Sequence, residues 1–366
     1  MQIICAVIFL VAYTVYAASS VKACGTLFNT VTGMDETAAM YLASIIIIGY
    51  TFLGGFSAVC WTDFFQGMLM LGALLIAPIF ALFMLQGVGI HAVDTPDYFN
   101  AFSSWKDIVS GLGWGLGYFG MPHIIIRFMS LESQKSLKKS AKIGITWTVL
   151  IVIFAAAVGI IGRLFLGYDE AINGHSLVFI TMVRKIFPGV ISGLLLSAVL
   201  AASMSTADSQ LLVSASSVAE DIFKGLLKKD ADDKTVMNVS RVTVLLVAVL
   251  AYIIAWNPNN TVMGLVSNAW AGLGAAFGPL VVMSLYWKRT NFPGAVAGIV
   301  TGALAVIIWD YIPLVGGQTL GKATGLYSLV VGFGLGLIAI IAVSLATKAP
   351  SEEMLQEFED VKANRL

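Results

Sequence analysis

The chain has 366 residues, 58% of them hydrophobic and only 11% charged, with a mean hydropathy of +0.89. A soluble domain carries about a quarter charged residues, so this composition excludes an ordinary soluble protein and predicts a polytopic membrane protein. Lys plus Arg balance Asp plus Glu at 21 each, and no basic excess points to nucleic acid.

Apolar runs of about 20 residues, enough to cross a bilayer's hydrocarbon core as a helix, recur ten times. They cover 3–21, 37–60, 64–86, 108–130, 143–166, 189–215, 236–256, 261–287, 293–312 and 325–347. The first run continues without a small-residue cleavage site, so no removable signal peptide is expected. A long polar loop ("HAVDTPDYFN") occupies 87–107 and is expected to fold over one face. The tail 348–366 is charged and helix-prone, hence solvated. Cys5, Cys24 and Cys60 stand singly, as do His91, His123 and His175, and neither set has metal-ligand spacing. With ten spans and an inner N-terminus, fifteen Lys and Arg fall on the inner side and six on the outer. That bias predicts a multi-pass protein of the cell membrane with both termini cytoplasmic.

Two stretches carry chemistry. Residues 111–130, "GLGWGLGYFGMPHIIIRFMS", place five glycines in ten residues and then Pro122. Glycine loosens a helix and proline removes a donor, so a broken helix is expected. Within a membrane, such backbone survives only where protein or a cavity surrounds it, and transporters use it to meet substrate. Trp114, Tyr118 and Pro122 recur at every fourth residue; such a stripe serves packing or a pocket, and the flanking glycines favour a pocket. Gly115-x-Gly117-x-x-Gly120 matches a dinucleotide fingerprint by chance, since no strand precedes it.

The second stretch, 200–224, reads "LAASMSTADSQLLVSASSVAEDIFK", with seven hydroxyls and an aspartate between 201 and 217. Ala202, Ser205, Thr206 and Ser209 share one helical face. Single hydroxyls in membrane helices bond back to their own backbone, yet an adjacent Ser–Thr pair beside small residues also suits a dehydrated hard cation such as sodium. Asp208 has two readings: an intramembrane carboxylate of functional use, or an acid near the inner interface solvated by water.

These stretches, together with "YTFLGGFSAVCWTDFFQGMLM" and "GLVSNAWAGLGAAFGPLVVMSLYWKR", resemble the sodium/solute symporter family, and within it the sodium/proline branch. The likeness runs over 1–350. It implies an all-α integral membrane protein: ten transmembrane helices of a leucine-transporter-type inverted-repeat fold that lacks the first helices. Residues 1–86 would be the remainder of the first repeat and 108–289 the second, followed by two peripheral helices in 290–347. The resemblance implies Na+ as coupling ion, held by the Ala202 carbonyl and the Ser205 and Thr206 hydroxyls. It implies a small solute, most readily proline, facing Trp114, Tyr118 and Pro122, with Tyr16 flanking. It sets Asp63 on an ion route, to which Asp208 is added. Family members usually have about thirteen helices, and the ten here match the last ten, so the first core helix with the other sodium ligands would belong to a longer protein. Met121 stands where some proline carriers have glutamine, which keeps other amino acids and carboxylates open as solutes. A sensor without net transport is the alternative from another class; it calls for a large domain after the tail, and the chain ends 16 residues past Pro350. No nucleophile or paired-aspartate motif of an intramembrane enzyme is present.

Overall fold

The computed structural model describes residues 1–88, 100, 102, 104–131, 133–167 and 175–363. The polar loop expected at 87–107 falls for the most part outside these residues. Helices dominate because a chain in hydrocarbon must satisfy its own backbone. In order they are α1 (Gln2–Thr32), α2 (Glu36–Val88), α3 (Trp105–Gly117), α4 (Pro122–Met129), α5 (Gln134–Leu166), α6 (Val178–Ile186) and α7 (Gly189–Ser216). There follow α8 (Asp233–Trp256), α9 (Val262–Tyr286), α10 (Phe292–Tyr311), α11 (Leu320–Thr324), α12 (Ser328–Ala346) and α13 (Glu352–Lys362). After Ser216, α7 widens into a π-helical stretch over Ser217–Leu227.

Among the described residues, eight helical stretches are long and apolar enough to cross a membrane. The other two expected spans differ in form. The run at 37–60 forms the first part of α2, and that at 108–130 is interrupted. No gap separates the expected spans 37–60 and 64–86, because α2 continues through residues 61–63. The polar residues there are accommodated within the helix: Thr62 Oγ1 donates to the Val59 carbonyl at 3.0 Å, and Asp63 pairs with Arg127.

Local chemistry sets the ends of these helices. Gly33 closes α1 at φ 72°, a left-handed cap that suits a residue without a side chain. Ser104, Ser133, Thr261 and Asn291 accept from N–H groups of the first turns of α3, α5, α9 and α10. Asn291 also donates to Thr347 Oγ1 and the Lys348 carbonyl, both at 2.7 Å, joining α10 to the end of α12. Between α10 and α11 lies a small hairpin not anticipated from the sequence, β1 (Pro313–Val315) with β2 (Gln318–Thr319), turning through Gly316 and Gly317 at positive φ. The tail forms α13 as expected, and Glu359 meets Lys288 at 3.3 Å.

Helix α1 lies at the centre, against α2, α7, α8 and α9. A second group, α9, α10 and α12, packs through small residues, as membrane helices do when backbones approach closely. A side chain added at Gly302 of α10 would strike the Ala275 carbonyl of α9, and one at Gly332 of α12 would meet Ala275 Cβ at 2.8 Å. Gly302→Val is expected to lower stability by ~1–3 kcal/mol, read as a reduced melting temperature in detergent. Gly272→Ala, where nothing lies within 4 Å, should leave it unchanged.

Candidate functional site

The predicted break is present. Helix α3 ends at Gly117, a 3₁₀ turn takes Tyr118–Gly120, and Met121 is extended (φ −91°, ψ 104°) before α4 starts at Pro122. At the tightening, the Tyr118 N–H bonds to the Gly115 carbonyl, three residues back instead of four. That releases the Trp114 carbonyl from its α-helical donor. Trp270 of α9 supplies another: its Nε1 donates to the Trp114 oxygen at 3.0 Å. Beyond the break, Met121 gives α4 no side-chain cap. Tyr13 of α1 does so from outside, its fully buried Oη accepting from the His123 N–H at 3.2 Å and lying 3.0 Å from His123 Nδ1. Gly120 lets this bend rest on α9: a Cβ there would lie 2.6 Å from the Gly278 nitrogen and 2.8 Å from the Leu273 carbonyl.

The structure brings together three of the four residues expected to face solute. Tyr16, Trp114 and Tyr118 all meet the ring of Trp270, with centroids 6.5, 6.0 and 4.9 Å away. Trp114 also stacks on Tyr327 at 5.1 Å, and the Tyr327 hydroxyl donates to the Ser267 carbonyl at 2.7 Å. Pro122 stands apart, across the break. It lines a cavity of about 640 Å³ with His123, Arg127, Ser209 and Phe277.

On α7, Ala202, Ser205 and Thr206 are half-buried. Ser205 Oγ and Thr206 Oγ1 both donate to the Ala202 carbonyl, at 3.1 and 2.8 Å, so three neutral oxygens converge. The hydroxyls thus make the back-bonds open to any membrane Ser or Thr, and their lone pairs remain available. One turn on, Ser209 accepts from Arg127 Nη2 at 3.0 Å, while Arg127 forms an ion pair with Asp63. Helices α2, α4 and α7 are joined at this point. Asp208 is turned elsewhere and is 0% exposed. Of its two readings, solvation at the interface is not what the structure presents: neighbouring Ala207 and Leu211 pack with Ile47, Val244 and Val247.

Sequence reasoning missed Trp270, Tyr327 and Tyr13, and counted Arg127 only as an inner-side charge. The available signal for Trp270 was a single large ring in the small-residue run "SNAWAGLGAA".

An interrupted membrane helix, held by its neighbours beside a helix face of neutral oxygens, is the construction of a secondary transporter. The profile of the Sodium:solute symporter family matches residues 1–302, and the chain belongs to that family. It is 41% identical over 364 residues to the high-affinity proline transporter PutP of Bacillus subtilis (strain 168), covering 97% of this chain and 75% of that one. It is 40% identical to the osmoregulated proline transporter OpuE of the same organism, covering 98% and 73%. A sodium/proline symporter of Staphylococcus aureus is 43% identical, with 96% and 70% covered. Among solved structures, the substrate-bound outward-open state of a Na+-coupled sialic acid symporter aligns with a TM-score of 0.73. That alignment spans 96% of this chain and 75% of the other at 19% identity, and establishes the shared fold. The protein is therefore a multi-pass, sodium-coupled secondary transporter, not an enzyme.

Replacing Tyr13 by Phe removes the outside cap of α4 and leaves the His123 N–H unpaired. The expected cost is ~1–3 kcal/mol, measured as a lower melting temperature of Tyr13→Phe than of wild type in detergent.

Proposed function

We propose that this chain forms the larger part of a carrier that imports proline, or a similarly compact amino acid, together with sodium. The observation that carries this reading is the meeting of Tyr16, Trp114 and Tyr118 at a broken helix, in a chain 40–43% identical to proline transporters. Aromatic faces and a nearby helix break suit a small ring with a charged nitrogen and carboxylate.

The Ala202 carbonyl and the Ser205 and Thr206 hydroxyls supply one wall of the sodium site. On ion arrival the two hydroxyl protons turn away from the Ala202 oxygen and all three oxygens face the cation. A hard cation of this kind takes about six oxygens, so three more are needed. In this reading they come from helices that precede residue 1 in the complete carrier, as do the partners of the solute's charged groups. The greater length of the relatives supports this. Residues 1–86 form the remainder of the first inverted repeat and 108–289 the second, the chain crosses the membrane ten times, and both termini face the cytoplasm, in keeping with the excess of Lys and Arg on that side. Asp63, tied to Arg127 and adjacent to Ser209, lies on the ion's route a turn beyond Thr206, with buried Asp208 as a second acid along it. Pro122 borders the solute's path through the cavity it lines. Sodium and solute each stabilise the same outward-open arrangement, which is what coupling requires.

In the complete protein, Ser205→Ala combined with Thr206→Ala should raise the sodium concentration for half-maximal proline uptake by at least about tenfold, since two oxygen contacts to a charge are lost. Sodium dependence identical to wild type would rule out the ligand assignment.

A further inference from the structure

Resting on that reading of the solute site, we propose that Trp270 is its positioning residue, acting through Trp114 and Tyr118 to fix which solutes the site accepts. Four features converge on this side chain. Its N–H takes the place of the backbone donor that the 3₁₀ turn withdraws from the Trp114 carbonyl. Its ring contacts Tyr16, Trp114 and Tyr118, which come from two different parts of the chain. Trp114 is confined between it and Tyr327. Gly117 makes room for it, because a Cβ at that position would overlap the indole.

The position of Trp270 is itself fixed by the bundle. The residue is 7% exposed and neighbours Ala271, Leu273 and Ala275, all fully buried in the same core. The backbone at Trp114 and Tyr118 has two arrangements open to it. With the indole N–H present, the Trp114 carbonyl is satisfied from α9 and the Tyr118 N–H stays with Gly115. Without it, the part-buried carbonyl loses its partner, and the cheapest remedy is for the Tyr118 N–H to return to it. That return restores α-helical geometry and swings Tyr118 around the axis, away from Tyr16. The width between these two phenols is the quantity Trp270 controls. The oxygens of Ala202, Ser205 and Thr206 lie on α7 and make no bond to the indole.

The test is Trp270→Phe in the complete carrier, reconstituted in liposomes and assayed for sodium-driven uptake of labelled proline against a panel of unlabelled amino acids. Phe keeps a ring and loses the N–H. The proline concentration for half-maximal uptake is expected to rise about tenfold, the weight of one buried hydrogen bond. Larger residues such as valine and leucine should gain as competitors relative to alanine, while the sodium requirement at saturating proline stays within about twofold. Gly117→Ala, which displaces the indole and leaves Trp270 in place, should give the same pattern and serves where Trp270→Phe fails to reach the membrane. Unchanged proline half-saturation and an unchanged competition panel in either variant overturn the positioning role and leave the transport reading intact. Absence of sodium-driven uptake in the wild type overturns the transport reading and this proposal with it.

Discussion

A peptide group without a hydrogen-bond partner costs several kcal/mol in a membrane interior, and this structure is organised around one place where the helix gives up its own. Between Gly117 and Pro122 the chain leaves α-helical geometry. The carbonyl on one side is satisfied by an indole from α9, and an N–H on the other by a phenol from α1. Both donor and acceptor arrive from more than 100 residues away, at separations of 156 and 110. The break is therefore a tertiary feature held open by two neighbours. The aromatic cluster beside it follows from those same contacts, since an indole near enough to bond the Trp114 oxygen is also near enough to touch the rings around it.

The polar groups on this face of α7 divide into two sets. Nearest the middle are neutral oxygens on Ala202, Ser205 and Thr206. One turn further, Ser209 belongs with the charged pair Arg127 and Asp63. The first set is uncharged and bonds within α7, whereas the second is a charged pair that links α2 and α4. The same helix thus presents a run of neutral oxygens and, beside it, the point that fastens α2 and α4.

Much of this was legible in the sequence. Apolar runs of bilayer length marked most of the membrane helices, and the glycines before Pro122 marked the interruption. The periodicity of 202, 205, 206 and 209 placed those residues together on one helical face. Other features were not legible, for identifiable reasons. The spans expected at 37–60 and 64–86 left Thr62 and Asp63 between two helices; the back-bond of Thr62 and the ion pair of Asp63 with Arg127 in α4 let one helix continue through them. Asp208 was given an interfacial option from its distance along the helix, but burial depends on which neighbours surround that face. Tyr13 carries no local pattern and Trp270 only its isolation among small residues, because the role of each is defined by a backbone group elsewhere in the chain.

The glycine contacts among α9, α10 and α12 have a mechanical consequence. Packed helices shear past one another when interlocking side chains can hop between rotamers. Where Gly302 and Gly332 bring backbone directly onto Ala275, there are few such side chains to rearrange. These three helices are packed as one plank, further clasped by Asn291 at one end. Since Trp270 stands on that plank and Tyr13 on α1, the two halves of the broken helix are moored to different helices of one packed core. A tilt of α1 against α9 would therefore reach Met121, the joint between two short levers, through both moorings.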